Sequence, residues 1–517
     1  MGKLLPSYKK SVYDEMYNAI ASNTAQYYFF ASNPVAYSNN APIVSNDDYS
    51  TMYTNNWQML FGKRASNTNL LPVISKITWA PNTFYSRYDN TSNSLYIDNN
   101  FYVICEPSVS GGNYHVYKCI DNANGSVSTT NPASIGTPTQ ATTFQTSDNY
   151  KWRYLTSISN QNYVNFSTNN YAPIYPNTTI VTNASTYSGV EIVMISNSGI
   201  GYSSYANGTV RTVVNSTLIE IESNSSPDND FYTNNAIYIY NVMAATSQLI
   251  GVSRYVSNTS GKWIYLASEA NTTNITAAVT KYDIAPKVVF DSDGTEPLAR
   301  SIINTYSNSI ASIQILNIGS NITRSNVSIQ SNTNYGRGAI LYSIVPPPGG
   351  HGSDPASELN MKGICFNFNF SNTESGTITT ANTVYNKIGI IKNPYILQSN
   401  AAKSGTQYYV NTFSQVLKGN VSPSFTFTKG ETVTGLTSGS KGTVVFSNSS
   451  QVYLTGDKSF ITGEAIANSA GYNVTSMTIN TLGSIYTNDL KPLYVQNINN
   501  VNRSNTQTES FKIVIQV

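Results

Sequence analysis

Two runs of alternating side chains set the terms for what this chain can become: Tyr114-His115-Val116-Tyr117-Lys118-Cys119-Ile120-Asp121-Asn122 and Asn149-Tyr150-Lys151-Trp152-Arg153-Tyr154-Leu155. Alternation of large apolar and polar groups with a period of two fits a half-buried β-strand. It does not fit a helix, whose faces recur about every 3.6 residues. Between the runs, Asn124-Gly125, Pro132, Gly136 and Pro138 punctuate a Gly/Ser/Thr/Pro-rich span that a helix could not survive. The same alternation recurs at residues 191–195, 218–221, 236–240 and 263–266. At the C-terminal end Phe511, Ile513, Ile515 and Val517 share one face, with Lys512 and Gln516 on the other. Asn207-Gly208 predicts a tight turn between strands. The chain is therefore expected to be mainly β.

Helical signals are few. Over residues 11–20 Ser11 can serve as cap, Asp14 and Glu15 favour the positive end, and Val12, Met16 and Ile20 recur every fourth residue. Ala21-Ser22-Asn23 ends that helix, and a weaker one is expected over residues 50–62. Further along, Phe427-Thr-Lys-Gly430-Glu431-Thr-Val433-Thr-Gly435 is echoed by Phe460-Ile-Thr-Gly463-Glu464-Ala-Ile466. Residues 442–446 and 452–454 read as paired strands between the two copies. A related shape occupies residues 231–240 and 262–266, so two small antiparallel β modules are expected, without the sustained period of a solenoid.

Composition narrows the class of partner. Only 11% of residues are charged, 29 basic against 27 acidic, where an ordinary globular chain carries roughly 25%. A nucleic-acid footprint needs a clustered basic face, and this balance argues against one. A surface wetted by Asn, Ser, Thr and Tyr has little self-repulsion, which suits a subunit of a large assembly. The 39 Tyr, against 18 Phe and 4 Trp, fit interfaces, where a broad apolar ring keeps a hydroxyl for a partner. AT-rich codons would also raise Asn, Tyr and Ile, but would not explain so little Lys. Cys105, Cys119 and Cys365 have no metal-ligand spacing and cannot all pair; Cys105 and Cys119, in apparent strands, read as buried free thiols, which fits a reducing compartment. No apolar run has the length of a membrane span or a secretory core, so no membrane insertion is expected.

Chemistry finds little foothold. Of the two His, His115 reads as a hydrogen-bonded sheet residue. His351 lies in Pro-Pro-Pro-Gly-Gly-His-Gly-Ser353-Asp354, and Ser353 and Asp354 cannot easily converge on one imidazole from adjacent positions, so a shaped loop is expected. Asp291-Ser-Asp293-Gly294-Thr-Glu296 resembles the start of a calcium loop, but its glycine falls at the fourth place and the closing glutamate is missing. Asp228 and Asp230 read as solvated loop carboxylates. Without a phosphate loop, zinc motif or dinucleotide fingerprint, no catalytic residue, cofactor site or metal site is assigned, and the chain is not expected to be an enzyme.

The strand pair at 114–155 also resembles the baseplate wedge protein of T-even-type contractile-tailed bacteriophages, the gene product eight family. Other segments carry the likeness in the same order: Tyr8 to Ile20, Gln26-Tyr27-Tyr28-Phe29-Phe30-Ala31, Trp57 leading to Leu71-Pro72, and Pro346 to Pro348 with Gly349-Gly350-His351-Gly352 and Glu358-Leu359. It continues through Ile388-Gly389-Ile390-Ile391-Lys392-Asn393-Pro394, Gly483 to Tyr486, Lys491-Pro492-Leu493 and Phe511 to Ile515. The resemblance implies antiparallel β-sandwiches with a short N-terminal helix; the chain departs from compact family members over roughly 181–300 and 421–480, which read as two inserted small β modules. On that basis residues 1–180 are the N-terminal part of a core, 181–300 an inserted β domain, and 301–420 the central part. Residues 421–480 are a small inserted module and 481–517 strands completing the core. The resemblance further implies a virion tail baseplate subunit made in the host cytoplasm, a homodimer within each wedge. Its contacts would be other wedge subunits, and its task the rearrangement before sheath contraction. Two rivals stand beside it: a glycan-binding tail-fibre or adhesin subunit, with Tyr and Trp of the insertions stacking on sugars, and a polysaccharide depolymerase, for which no carboxylate pair can be picked.

Overall fold

A computed structural model of the chain describes residues 5–39, 42, 48–92, 94–98, 100–135, 142–222, 225–330, 334–371, 383–503 and 507–517. Gly136 and Pro138 of the expected linker, and the first four residues, lie outside them. The fold is mainly β, 47% strand and 12% helix, built of antiparallel sheets with a short N-terminal helix. The chain forms two compact units, residues 1–73, 165–168 and 362–517, and residues 74–164 and 169–361.

In the first unit, two sheets make a sandwich. One has the strand order Thr412–Ser414, Met59–Arg64, Tyr27–Ser32, Val384–Lys392, Tyr494–Asn502. Its central strand, Tyr27–Ser32, is buried at every residue, which is why it reads as an unbroken apolar run and does not alternate. Tyr28 and Phe30 pack on one side with Met59, Tyr408 and Phe413. Phe29 turns to the other side, its ring 5.3 Å from Phe368 and 4.9 Å from both Phe370 and Phe511. Those three belong to the facing sheet, in which Thr508–Gln516 pairs with Gly363–Ser371.

The N-terminal helix is Pro6–Ala21, five residues longer at its start than expected. Pro6 occupies its first turn, where a missing N–H costs nothing and a fixed φ helps. Ser11 therefore lies inside the helix and caps nothing. Asp14 is not at the positive end; it pairs with Lys10 one turn back at 2.5 Å. The second helix, Tyr49–Trp57, stops earlier than expected, with the Asp48 carboxylate accepting from Thr51 N at its start. Residues 59–62 belong instead to a strand pairing with Tyr27–Ser32, because consecutive Met59, Leu60 and Phe61 are better buried in a sheet than on one helix stripe.

Each unit contains a closed barrel. In the first unit it comprises Leu417–Ser422, Thr432–Gly435, Lys441–Ser447, Gln451–Gly456, Glu464–Asn468 and Asn473–Thr481. Its interior holds Leu417, Val433, Val444, Leu454, Ile466 and Met477. The sequence echo is a repeated turn. Glu431 Oε1 accepts from Thr428 N at 2.5 Å, and Glu464 Oε1 accepts from Ile461 N at 2.6 Å. Gly430 and Gly463 precede these carboxylates at φ +84° and +86°, and the strands that follow them pair with each other.

The second unit holds the predicted strand pair: Tyr114–Asn122 runs antiparallel to Tyr150–Ile158, flanked by Tyr102–Cys105 and Phe144–Gln145. Tyr117, Cys119, Tyr150, Trp152 and Tyr154 form its core. Much of the tyrosine in the chain is thus spent internally; Tyr102 Oη, for example, donates to Ser75 O at 2.8 Å. The barrel of this unit comprises Ala206–Asn215, Leu218–Ile221, Gly261–Leu266, Thr246–Asn258, Ala236–Asn241 and Lys281–Ile284 in that order around the ring. Asn207-Gly208 is not a turn. Both residues lie within Ala206–Asn215, opposite Asp283 and Tyr282, since pairing with the distant strand Lys281–Ile284 outweighs a dipeptide preference. The hairpin turns at Ser216-Thr217, where Asn215 Oδ1 accepts from Thr217 N. Hairpins follow, including Leu298–Asn304 with Ser309–Asn317.

Candidate functional site

The most concentrated ionisable chemistry in the second unit surrounds Lys118. In the strand Tyr114–Asn122 this side chain is fully buried, where its alternation would suit an apolar residue. The loop after residue 345 delivers its partners. Asp354 caps the short helix Pro355–Glu358 by accepting from Ser357 N at 3.2 Å, and Glu358 closes that helix. Gly350 and Gly352 hold φ of +90° and +81°. A Cβ on Gly350 would lie 2.2 Å from Ala184 O, and one on Gly352 2.5 Å from Ile180 Cγ2, so only glycine lets the loop come this close.

Within this frame Lys118 Nζ lies 2.7 Å from Glu358 Oε1 and 3.1 Å from His351 Nδ1. His351 Nδ1 is 2.8 Å from the same carboxylate oxygen, and Gly352 N donates to Oε2 at 2.7 Å. An ionised carboxylate only accepts, so Nδ1 carries the imidazole's hydrogen. The ammonium stands 3.2 Å from the centre of the Tyr88 ring, whose plane also meets His351 edge-on at 5.5 Å. Burial pulls the Lys118 pKa down, to about 8, with Glu358 opposing. Burial pushes the Glu358 carboxyl up, but the Lys118 charge and His351 more than reverse this and leave it low. Burial and the Lys118 charge hold His351 below its ordinary value.

Chemically this is a sealed charge network. Side-chain exposures are 0% for Lys118, 2% for Glu358 and 4% for His351. It clamps the glycine-rich loop to the sheet. Ser353 and Asp354 do not join it: Ser353 Oγ donates to Gly350 O at 2.9 Å, and Asp354 is taken up by its cap.

A second network lines a cleft of about 790 Å³ bounded by Arg87, Asp121, Lys151, Arg153, Glu191 and Ile313 among others. Four of these charges pair with one another. Arg153 meets Glu191 at 2.6 Å and Lys151 meets Asp121 at 3.8 Å. Thr143 Oγ1 also donates to Glu191. His115 bonds Ser157 Oγ across its sheet at 2.7 Å. Asp293 is engaged by the backbone N–H groups of Thr323 and Arg324, and Asp291 reaches Arg324 at 3.5 Å. Asp230 accepts from Thr233 Oγ1. Cys105, Cys119 and Cys365 are buried and unpaired. Among the described residues no cluster of three or more His, Cys, Asp or Glu could hold a metal ion, and no helix is long and apolar enough to cross a membrane.

Sequence reasoning passed over Lys118, Glu358, Arg153 and Glu191 as ionisable partners. The available signal was charge inside otherwise apolar alternation: Lys118 and Arg153 occupy strand positions whose neighbours are Tyr, Cys and Trp. No family model and no curated protein matches the chain.

Proposed function

We propose that this protein is a structural subunit of a contractile-tail baseplate wedge, acting by packing against other wedge subunits and by releasing those contacts when the baseplate rearranges. One observation carries the reading. Segments that resemble the gene product eight family pair with one another in space, whereas the two closed barrels, within residues 206–284 and 417–481, carry none of the resemblance. Residues 26–31, 388–392 and 511–515 contribute to the two faces of one sandwich. The 114–122 and 149–155 runs are neighbouring strands, and the 346–359 loop meets the first of them through Lys118, His351 and Glu358.

In this role the protein is a homodimer within the virion tail, made in the host cytoplasm, and needs no cofactor, nucleic acid or bilayer. Its mechanism is two-state assembly: contacts that differ between two baseplate forms bias one over the other. Sedimentation of the purified chain at micromolar concentration tests the dimer, and a density map of an assembled particle tests the location. A strictly monomeric profile, together with absence from the baseplate, would defeat the proposal.

A further inference from the structure

The barrel of the second unit carries a groove on its outer wall that an assembly role leaves unused. Because side chains alternate along a strand, Ile237, Ile239, Tyr282 and Ile284 fill the barrel while Tyr238, Tyr240, Lys281 and Asp283 face outward. Strand register orders these into two rungs. Tyr238 stands opposite Asp283, which stands opposite Asn207; Tyr240 stands opposite Lys281, which stands opposite Thr209. The strand Leu298–Asn304 forms the far wall with Arg300, Ile302 and Ile303, enclosing about 490 Å³.

The groove is organised before any ligand arrives. The rings of Tyr238 and Tyr240 lie 5.2 Å apart and 21° from parallel. The Arg300 guanidinium stacks 4.2 Å from the Tyr238 ring and pairs with Asp283 at 2.5 Å, while the Ser204 hydroxyl donates to the same carboxylate. Arg300 and Asp283 are only 13% and 16% exposed, so ring, donor and acceptor are held in fixed relation. Among the described lining residues the charges cancel within the pair and leave Lys281 alone, too little for a polyanion. The floor is too polar for an apolar peptide. What fits is a ligand that is itself two-faced, with a C–H surface for an aromatic ring and hydroxyls at its edge.

We propose that this groove binds a saccharide, with one hexose ring stacking on Tyr240 and its hydroxyls bonding to Asp283, Arg300, Lys281 and Asn207. The proposal goes beyond the wedge reading and does not rest on it. Full-length protein applied to an array of glucan, mannan, galactan and N-acetylglucosamine oligosaccharides tests it. Binding to at least one of these is expected, weakened about tenfold or more in Tyr240→Ala and retained in Tyr240→Phe. Tyr265→Ala removes an outward tyrosine elsewhere on the same barrel and is expected to leave binding unchanged. Melting curves of each variant separate lost binding from lost folding. Failure to bind any of these glycans would overturn the proposal. So would undiminished binding by a folded Tyr240→Ala protein, or an equal loss in Tyr265→Ala.

Discussion

Lys118 and Glu358, 240 residues apart in the chain, meet at 2.7 Å with both side chains sealed from solvent. A buried pair of this kind contributes little net stability against an apolar replacement, yet breaking it by removing one partner costs about 3–5 kcal/mol. Glu358→Gln is therefore expected to lower the denaturation midpoint sharply, since it strands the ammonium under Tyr88. Lys118→Met combined with Glu358→Gln is expected to recover part of that loss. Chemical denaturation of both variants checks this, and a double mutant no more stable than Glu358→Gln would contradict it.

Acid should weaken the same network. Glu358 is held below the ordinary carboxylate range, so the stability it supplies is complete above that range and lost as pH falls through its depressed folded value. His351, also held low, stays neutral when folded but takes a proton when unfolded once pH drops below about 6.5. Both effects have one sign: stability decreases from about pH 6.5 downward through His351, and from about pH 4.5 toward about pH 2 through Glu358. Denaturation midpoints across both ranges should show the decline, with a shallower slope near pH 6 in His351→Gln.

Two glycines with similar backbone angles should respond differently to alanine. At Gly463, φ is +86° and a Cβ would meet nothing within 4 Å, so Gly463→Ala should cost only the left-handed backbone term, about 1–2 kcal/mol. Gly350→Ala adds the collision with Ala184 O and should cost distinctly more. Melting temperatures of the two variants, measured side by side, decide the order.

The first unit's barrel rests on a small apolar centre. Leu454→Ala, at a site with no exposed surface, should cost about 2–5 kcal/mol. Hydrogen exchange should reveal the change as lost amide protection across the strands between Leu417 and Thr481.

Burial raises all three thiols, Cys105 and Cys365 to about 12 and Cys119 well above its ordinary value. Native protein should therefore be inert to a thiol-specific reagent at pH 8, and all three should react at once in denaturant. A rapid native reaction would mean that one of these cores opens.

The strands at 114–122 and 150–158 were legible because their alternation is a local property, and the echoed Gly-Glu turn was legible because the same contact is made twice. The N-terminal helix was misplaced because Ser11 and Asp14 look like cap and first turn, whereas Pro6 begins it and Asp14 serves Lys10. Residues 59–62 and Asn207-Gly208 were misread for a shared reason: pairing with distant strands overrode local preference. The Lys118 clamp was out of reach because its parts lie far apart in the chain, and sequence alone does not say which charges share a burial site. The saccharide groove depends in the same way on strand register, which places Asp283 beside Tyr238.

In both barrels the chain arrives and leaves side by side: Ala206 stands opposite Ile284, and Lys418 opposite Thr481. A module whose two ends share a doorway can be lost and its parent strands rejoined by a short bridge, without dragging the rest of the protein apart. Such plug-in geometry would let relatives acquire or shed these barrels over evolutionary time while keeping the other sheets of each unit intact.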